Sequence, residues 1–252
     1  MLVEVHFTPA ARPKPQGNVC VVIDALRATS TLTTMFAMGV EAVLVVASLA
    51  AARRDAKQRS GWLLCGEKRS LPPQGFDYGN SPAEYSTLDL RGRSAVFVTT
   101  NGTRALIRAA GCSVVFAGSM LNVSRVARAA LTEATRRNQA VLIQCAGDLG
   151  GRAFDLEDAF CAGAIVDAVV RARRKTELND EAEVARRLFD SYGGSASEAF
   201  QQARHGVGLT AAGLGADVEF CAQRDRYQAV PRLERTPGGL LIRSAAMQRA
   251  RA

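Results

Sequence analysis

The sequence predicts an α/β protein, a three-layer α/β/α arrangement in which a largely parallel sheet lies between two layers of helices. Apolar runs of strand length alternate with helical patterns through nearly the whole chain. The connections are mostly short, and 48% of the 252 residues are hydrophobic. This alternation is typical of parallel strands joined by crossover helices, which bind ligands at the carboxyl ends of the strands.

Short β-rich apolar runs mark the predicted strands, which cover residues 19–24, 41–46, 62–66, 94–99, 113–117, 140–145 and 217–221. Apolar residues spaced three or four apart mark the predicted helices, at 29–38, 48–59, 102–110, 122–137, 156–173, 180–191 and 195–204. A chain of this length fits one large domain or two intimately packed halves.

Two stretches interrupt the alternation. Residues 66–93 form a long predicted loop rich in Gly, Pro and polar side chains, and compact proteins rarely keep such a loop without a use. Residues 205–216 are rich in Gly and have a flexible character. A segment of this composition fits two roles: it can pack closely against neighbouring backbone, or it can form a lid.

The charge and the hydropathy pattern limit the partners. The formal net charge is +8 and comes mostly from arginine. We attribute it to solvated helix faces, because no basic strip interleaved with aromatic residues marks a nucleic-acid groove. No apolar stretch reaches the length of a membrane span, and the first residues lack a signal-peptide pattern. We therefore expect a cytoplasmic protein with neither a nucleic-acid nor a membrane partner.

Cysteine and histidine usage limits the metal chemistry. The six cysteines form no C-x-x-C pair, which argues against a zinc ribbon or a thioredoxin-type site. With only two histidines, a metal would be held by carboxylates and water, a ligand set that suits Mg²⁺.

The most informative motif is a predicted strand that ends on a carboxylate. Asp24 closes an apolar run, and Arg27 and the hydroxyls of Thr29 and Ser30 follow at the start of a helix. Unpaired N–H groups and the dipole at a helix N-terminus favour an anion there. Asp24 fits a metal ligand, a nucleophile or a helix cap. Arg27 fits a phosphate clamp or an ion-pair partner of Asp24.

A second turn of the same kind follows the fourth predicted strand. Thr100 and Asn101 supply hydrogen-bonding groups, and Gly102 permits close backbone approach to an anion ahead of Thr103 and Arg104. In isolation these residues also fit an Asn-Gly turn with a capping Thr. Two such turns in one chain favour a phosphate-type substrate, with Arg104 or another cation taking its remote acidic group.

Acidic residues at other element ends are candidate metal ligands. Glu67 ends a predicted strand, and Asp155, Glu157 and Asp158 open a predicted helix. Acids in a first helical turn are normal partners of the helix dipole. We expect Asp24 to be the main ligand of Mg²⁺, with Glu67 and either Glu157 or Asp158 as further ligands.

Cys145 begins a stretch that partly matches a cysteine-phosphatase loop. That loop needs a thiolate, five residues and then Arg, but here six residues precede Arg152 and Gly151 stands in the required place. A low-pKa nucleophile at Cys145 is therefore disfavoured. Asp24 also fails the Asp-x-Asp pattern of aspartate-nucleophile phosphatases, because position 26 is Leu.

Taken in order, the motifs resemble those of the 2-phosphosulfolactate phosphatase (ComB-like) family over most of the chain. The most distinctive are Val-Ile-Asp-Ala-Leu-Arg-Ala-Thr-Ser-Thr at 22–31 and Thr-Thr-Asn-Gly-Thr-Arg at 99–104. Further matches lie at 66–67, 75–82, 118–122, 145–147, 157–158, 162–163, 179–180, 221–222 and 230–231. Ala25 and Tyr78 are mild departures, since the family pattern has Val and Leu there.

The resemblance implies a Mg²⁺-dependent acid phosphatase that releases phosphate from 2-phosphosulfolactate, a step toward coenzyme M. It implies an α/β fold in which two similar subdomains pack intimately within one domain, residues 1–252, and a homodimer. It also implies substrate contacts for Asn80, Ser81, Asn122 and Cys145, although capping explains Asn122 on sequence grounds alone.

We interpret the chain as a phosphomonoester hydrolase of a small phosphorylated acid. Arg27, Asn101 and the backbone of 100–103 are expected to hold the phosphoryl oxygens. The spacing leaves open whether Asp24 becomes phosphorylated or only binds metal. The alternatives are an isomerase or transferase of small phosphorylated acids on the same scaffold, and a non-catalytic nucleic-acid binder that uses the arginine excess.

Overall fold

The computed structural model describes residues 1–12 and 14–245. Its strands are β1 (Leu2–His6), β2 (Val19–Ile23), β3 (Ala42–Val45), β4 (Leu63–Gly66), β5 (Ser94–Val98), β6 (Val114–Gly118), β7 (Val141–Cys145), β8 (Glu177–Leu178), β9 (Pro231–Thr236) and β10 (Gly239–Ser244). Its α-helices are α1 (Ala28–Ala37), α2 (Leu49–Lys57), α3 (Pro82–Tyr85), α4 (Gly102–Arg108), α5 (Val123–Arg137), α6 (Leu156–Ala172), α7 (Asp180–Ser191), α8 (Ala196–Gln202), α9 (Arg204–Ala211) and α10 (Gly215–Cys221).

These strands form one sheet in the order β4-β5-β3-β10-β9-β6-β2-β7-β1-β8. Strands β6, β2, β7, β1 and β8 are a parallel group, and β4, β5 and β3 are a second one. The hairpin of β9 and β10 joins the groups through three successive antiparallel pairings. The predicted α/β class with a largely parallel sheet is confirmed.

Helices cover both faces of the sheet. On one face, a single apolar core joins α1 and α4 to strands of both parallel groups, including Val22 of β2 and Phe97 of β5. On the other face, α5, α6 and α7 pack against the larger group around Phe160. Helix α2 packs against β3 and β5 through Ala52. This arrangement agrees with the predicted three layers.

The twist of the sheet brings distant strand ends together. Strands β2 and β5 are five positions apart, which corresponds to about 24 Å in a flat sheet. Gly102, which begins α4 after β5, nevertheless packs against Asp24, which follows β2. Because neighbouring strands rotate in the same sense, the rotation accumulates over five steps. The sheet therefore curls around α1 and α4.

Six of the seven predicted strands and all seven predicted helices are confirmed to within two residues at each end. The strand predicted at 217–221 is wrong, because this segment lies in helix α10. A five-residue apolar run cannot distinguish a strand from a buried helix. The segment at 205–216 is helical over most of its length, since α9 covers Arg204–Ala211.

The predicted loop at 66–93 has local order of its own. It contains α3, and Tyr78 forms a parallel bridge with Cys65 beside β4. No helix within residues 1–12 and 14–245 is long and apolar enough to cross a membrane. The division into two similar subdomains stays a prediction, because one continuous sheet runs through the described chain.

Candidate active site

Two strand–turn–helix bends meet at one cavity of about 370 Å³. One bend links β2 to α1, and the other links β5 to α4. A Cβ at Gly102 would lie 2.5 Å from Asp24 Oδ2 and 2.5 Å from the Cβ of Ala28. Only glycine therefore allows the bends to touch, and they are the two that the sequence motifs singled out.

The cavity wall combines predicted site residues with others that were not assigned from the sequence. The predicted ones are Asp24, Arg27, Glu67, Asn80, Thr100, Asn101, Glu157 and Asp158. The additional polar ones are Arg69, Ser70, Asp148, Asp155, Arg204 and His205. The wall thus holds six acidic side chains against three arginines. An anionic substrate needs further positive charge to bind there.

Asp24 caps α1 with one carboxylate oxygen and leaves the other without a protein donor. Oδ1 accepts the N–H of Ala28 at 3.0 Å. Within the described residues, Oδ2 accepts no hydrogen bond and lies against Gly102. Burial raises the pKa of Asp24, and this outweighs the lowering effect of the Ala28 hydrogen bond. The residue therefore combines the capping role with one oxygen available for a ligand.

Arg27 is fixed at the wall by an ion pair that the sequence did not predict. Its Nη1 donates to Asp217 Oδ2 at 2.6 Å, and its Nη2 donates to the carbonyl of Ser70 at 2.6 Å. Ser81 Oγ donates to Asp217 Oδ1 at 2.6 Å. Of the two roles left open for Arg27, the ion pair with Asp24 does not form, because Asp217 on α10 takes that place. The role as a phosphate clamp stays a prediction. A guanidinium has five N–H donors, so others remain for an anion.

Glu67 ties the loop after β4 to the second bend. Its Oε1 accepts the N–H of Thr100 at 2.6 Å, and its Oε2 accepts the N–H of Ser70 at 3.0 Å. The side chain is 8% exposed. These bonds account for its burial, and its assignment as a metal ligand stays a prediction.

Asp158 fastens the ends of β2 and β7 in the same way. Its Oδ1 accepts the N–H of Ala25 at 2.8 Å, and its Oδ2 accepts the N–H of Gly147 at 3.1 Å. Burial raises the pKa of Asp158 well above its ordinary value, and the charges of Asp24 and Glu157 raise it further. Its assignment as a metal ligand likewise stays a prediction.

Asp155, Glu157 and His205 bring their ligand atoms within 4.8 Å of one another. His205 Nδ1 lies 3.3 Å from Glu157 Oε1. Burial raises the pKa of Asp155 to about 7, and the charge of Glu157 adds to this. Burial alone would lower the pKa of His205, but the hydrogen bond and charge of Glu157 outweigh it and raise that pKa.

Four predicted substrate-binding side chains form hydrogen bonds within the turns that follow β2, β5 and β6. Thr29 Oγ1 bonds the backbone of Asp24, and Ser30 Oγ donates to a carbonyl of the same turn. Thr103 exchanges hydrogen bonds with Thr99 across the second bend. Asn122 completes a capping box with Ser119 in the short 3-10 turn that follows β6 and precedes α5. None of these four side chains belongs to the cavity wall, and their contact with substrate stays a prediction.

Cys145 and Arg104 also lie outside the wall. Cys145 is 1% exposed, and burial raises the pKa of its thiol well above the usual value. A thiolate nucleophile is therefore disfavoured there. Arg104 is exposed and lines a neighbouring groove of about 250 Å³ with Lys14 and Arg108, which shares Asn101 with the cavity.

Among the residues around this cavity that were not assigned from the sequence, Asp217, His205 and Asp155 bring charges together from distant elements. Asp217 was placed on a strand, and His205 lay in a Gly-rich segment without helical periodicity. Asp155 was noted only as an acid in a first helical turn. His205 reaches Glu157 of α6, and Asp217 reaches Arg27 just before α1, across long separations in sequence. Local sequence therefore carried no signal for the first two.

Comparison with known proteins gives the same picture over nearly the whole chain. Residues 6–236 match the model of the 2-phosphosulpholactate phosphatase family. A probable 2-phosphosulfolactate phosphatase of Symbiobacterium thermophilum is 40% identical over 218 residues, 85% of this chain and 91% of the relative. The protein of that name from Thermotoga petrophila is 38% identical over 232 residues, 92% of this chain and 95% of the relative. The one from Gloeobacter violaceus is 37% identical over 248 residues, 98% of this chain and 100% of the relative.

This chain therefore belongs to the 2-phosphosulpholactate phosphatase family.

Proposed function

We propose that this family member hydrolyses the phosphomonoester of 2-phosphosulfolactate, the compound named for its relatives, to sulfolactate and phosphate. The main support is the meeting of the bends after β2 and β5 at one cavity. The first bend supplies Asp24, a carboxylate with a free oxygen, and Arg27, a buried guanidinium. The second bend adds Thr100 and Asn101 to the same wall. A carboxylate can act on the phosphoryl group as a nucleophile or metal ligand, and a guanidinium stabilises the charge of the transferring phosphoryl oxygens.

The donor set fits a divalent cation, which we propose to be Mg²⁺. The wall has six acidic side chains, and Glu157 Oε2 is buried without a hydrogen-bond partner among residues 1–12 and 14–245. Burial raises the pKa of Asp155 to about 7, and the neighbouring charge of Glu157 adds to this. A cation bound beside these carboxylates would favour their charged forms. Asp24, Asp155 and Glu157 are the carboxylates with oxygens to spare. When bound, the cation would neutralise phosphoryl charge and orient the attacking group.

Arg27 and the second bend are suited to hold the phosphoryl oxygens. Asp217 fixes the Arg27 guanidinium before substrate arrives, so little ordering is required on binding. Asn101 Oδ1 accepts the N–H of Gly150 at 3.2 Å, which leaves its amide N–H groups as donors. Asp24 acts either as the nucleophile or only as a metal ligand.

Arg69 is the side chain that we assign to the second acidic group of the substrate. It is exposed and lines the cavity, and it forms no ion pair within the described residues. Arg204, the other exposed arginine of the wall, pairs with Asp148 at 2.9 Å. This assignment replaces Arg104, which faces the neighbouring groove.

Three wider aspects of the function also remain proposals. The sulfolactate product fits a step toward coenzyme M. A cytoplasmic location and a homodimer follow from the composition and the family resemblance, respectively.

The test is release of phosphate from a panel of small phosphorylated acids that includes 2-phosphosulfolactate. We expect Mg²⁺-dependent release that excess chelator abolishes, and Asp24→Asn should lower kcat/KM by at least about 10²-fold. Asp89→Asn, which alters an exposed acid paired with Arg91, is the matched control and should keep full activity. Full activity of Asp24→Asn, or in excess chelator, contradicts the metal role. Conversion of the panel without phosphate release indicates an isomerase or transferase.

A further inference from the structure

Two thiols from distant parts of the chain contact each other on the face of the sheet that carries α1 and α4. Cys20 lies in β2 and is 0% exposed. Cys112 follows the short 3-10 turn at Ala109–Gly111 and precedes β6. Their side chains are hydrogen-bonded to each other, and both pack in the same apolar cluster. The pair lies near the amino ends of β2 and β6, whereas the cavity lies at the carboxyl end of β2.

Cys112 is the accessible member of the pair. Of the six cysteines, all of which lie in the described part of the chain, five are buried and Cys112 is partly exposed. The hydrogen bond that the Cys20 thiol donates lowers the pKa of Cys112 and outweighs burial, and a bond from the Asn18 N–H lowers it further. The thiolate is the form of cysteine that oxidants attack. Cys112 is therefore the thiol of this chain that we expect an oxidant to reach first.

Cys20 is held beside Cys112 as a second thiol. Strand β2 pairs with β6 on one side and with β7 on the other, which fixes Cys20 within the sheet. Ser113 N–H donates to the carbonyl of Asn18 at 3.0 Å and so holds the segment around Cys112 against the start of β2. A disulfide places its sulfur atoms about 2 Å apart. Thiols that are already in hydrogen-bond contact need only a small movement to reach that distance.

We propose that Cys112 is an oxidation site for hydroperoxides, and that Cys20 converts the oxidised sulfur into a disulfide within the same chain. The Cys112 thiolate attacks one peroxide oxygen, the O–O bond breaks, and the second oxygen leaves and takes a proton as water or an alcohol. This step gives a sulfenic acid at Cys112. The Cys20 thiol then attacks the Cys112 sulfur, the S–O bond breaks, and the hydroxyl leaves with the thiol proton as water. The two sulfurs together lose two electrons, and these reduce the peroxide.

The disulfide would join two segments whose opposite ends meet at the cavity. Strand β2 leads to Asp24, and Cys112 follows helix α4, which begins at Gly102. A bond between Cys20 and Cys112 closes a long loop, and such a cross-link stabilises the fold mainly because it restricts the unfolded chain. Resistance to unfolding therefore reports the link without any measurement of phosphatase activity, and the inference does not rest on the proposed function.

The competing arrangement is a hydrogen bond between two thiols that only serves packing. In that case both thiols stay reduced in the presence of peroxide, or Cys112 reacts alone and forms a disulfide with a second copy of the chain. Identification of the sulfur atoms that become linked separates these arrangements from the proposed one.

The experiment is treatment of the reduced full chain with a small molar excess of hydrogen peroxide. Remaining thiols are then alkylated in denaturant, and the peptides are mapped by mass spectrometry. We expect a pair of peptides linked through Cys20 and Cys112, with the buried cysteines of the other elements alkylated, namely Cys65, Cys145, Cys161 and Cys221. The oxidised chain should also unfold at a higher concentration of guanidinium chloride than the reduced chain, and dithiothreitol should abolish this shift.

Two variants separate the roles of the two thiols. Cys112→Ser should abolish both the link and the shift in unfolding, and it should leave Cys20 reduced. Cys20→Ala keeps the reactive thiol without its partner, so Cys112 should stop at the sulfenic acid, which dimedone labels. Cys161→Ala, which removes a buried thiol of α6, is the matched control and should form the link as the wild type does. Circular dichroism checks that each variant is folded.

The main readout is made on the wild-type chain, so it does not depend on the folding of any variant. Recovery of both thiols in reduced form after peroxide treatment overturns the proposal. A link between the Cys112 residues of two copies, or a linked pair of cysteines other than Cys20 and Cys112, overturns it as well.

Discussion

A single carboxylate, Asp217, fixes the orientation of the buried arginine. It receives Arg27 Nη1 on one oxygen and Ser81 Oγ on the other, and it is 2% exposed. The pair lies where α10 meets the bend after β2. Removal of one partner leaves the other charge buried and uncompensated. The free energy of unfolding then falls by more than the intact ion pair itself contributes to it.

Asp217→Asn should therefore lower the free energy of unfolding by about 3–5 kcal/mol. It should also raise KM for a phosphorylated substrate more than it lowers kcat, because Arg27 is no longer held ready to bind. Chemical denaturation and steady-state kinetics measure the two effects. Glu219→Gln, an exposed acid on the same helix, is the control, and a loss of stability below about 0.5 kcal/mol in Asp217→Asn would contradict this role.

Sequence patterns predicted residues whose local context carries the signal. Asp24 and Arg27 stand between an apolar strand and a helix, and the Gly102 turn repeats that context, so both were found. Asp217 and His205 lacked such a context, because their roles depend on which helix packs beside which. Side chains that serve backbone groups, such as Ser30 and Thr103, could not be separated from ligand-binding ones. Both types favour the same turns.

Secondary-structure elements also divide into those that local sequence predicts and those that depend on distant contacts. Strands with strong apolar runs and helices with clear periodicity were predicted, but the hairpin of β9 and β10 was missed. Its first strand begins with Pro231 and carries charged residues, although it lies in the middle of the sheet. The hairpin is central because β9 pairs with β6 and β10 pairs with β3, which are distant in sequence. A local residue pattern does not contain this information.

Gly102 is the element-scale link between the two bends. It begins α4, and a Cβ added there would meet Asp24 Oδ2 and the Cβ of Ala28, both at 2.5 Å. Either the carboxylate or the start of α4 must move to accept a methyl group. Displacement of a reacting group by about 1 Å can lower a rate by about 10²-fold.

Gly102→Ala should thus lower kcat by about 10²-fold while the chain stays folded. Gly215→Ala is the matched control: Gly215 also begins a helix, but its added Cβ would lie 3.6 Å from its nearest neighbour, an ordinary contact. Phosphate release and far-UV circular dichroism measure activity and folding. Normal kcat in Gly102→Ala would show that the bends need not touch for catalysis.

At the scale of the molecule, one core holds the two parallel groups together. The face that carries α1 and α4 buries Val22 and Val115 from the larger group together with Val43 and Phe97 from the smaller one. Ile242 of the joining hairpin lies in the same core. The opposite face is divided, since α2 and the α5–α7 layer belong to separate clusters. The shared face argues for one cooperative unit, whereas the divided face and the predicted subdomains argue for two.

We expect the shared core to dominate, so that the chain unfolds in a single transition. Trp62, the one tryptophan of the chain, precedes β4 and packs in the cluster around α2. Its fluorescence therefore reports on the smaller group, whereas far-UV circular dichroism reports on all elements. Coincident midpoints in guanidinium chloride are the mark of one unit. A Tyr192→Trp substitution in a Trp62→Phe background moves the probe to the α6–α7 layer, where Tyr192 contacts Phe160. If the two probes give midpoints that differ, the halves unfold separately and behave as the two subdomains that the family resemblance implies.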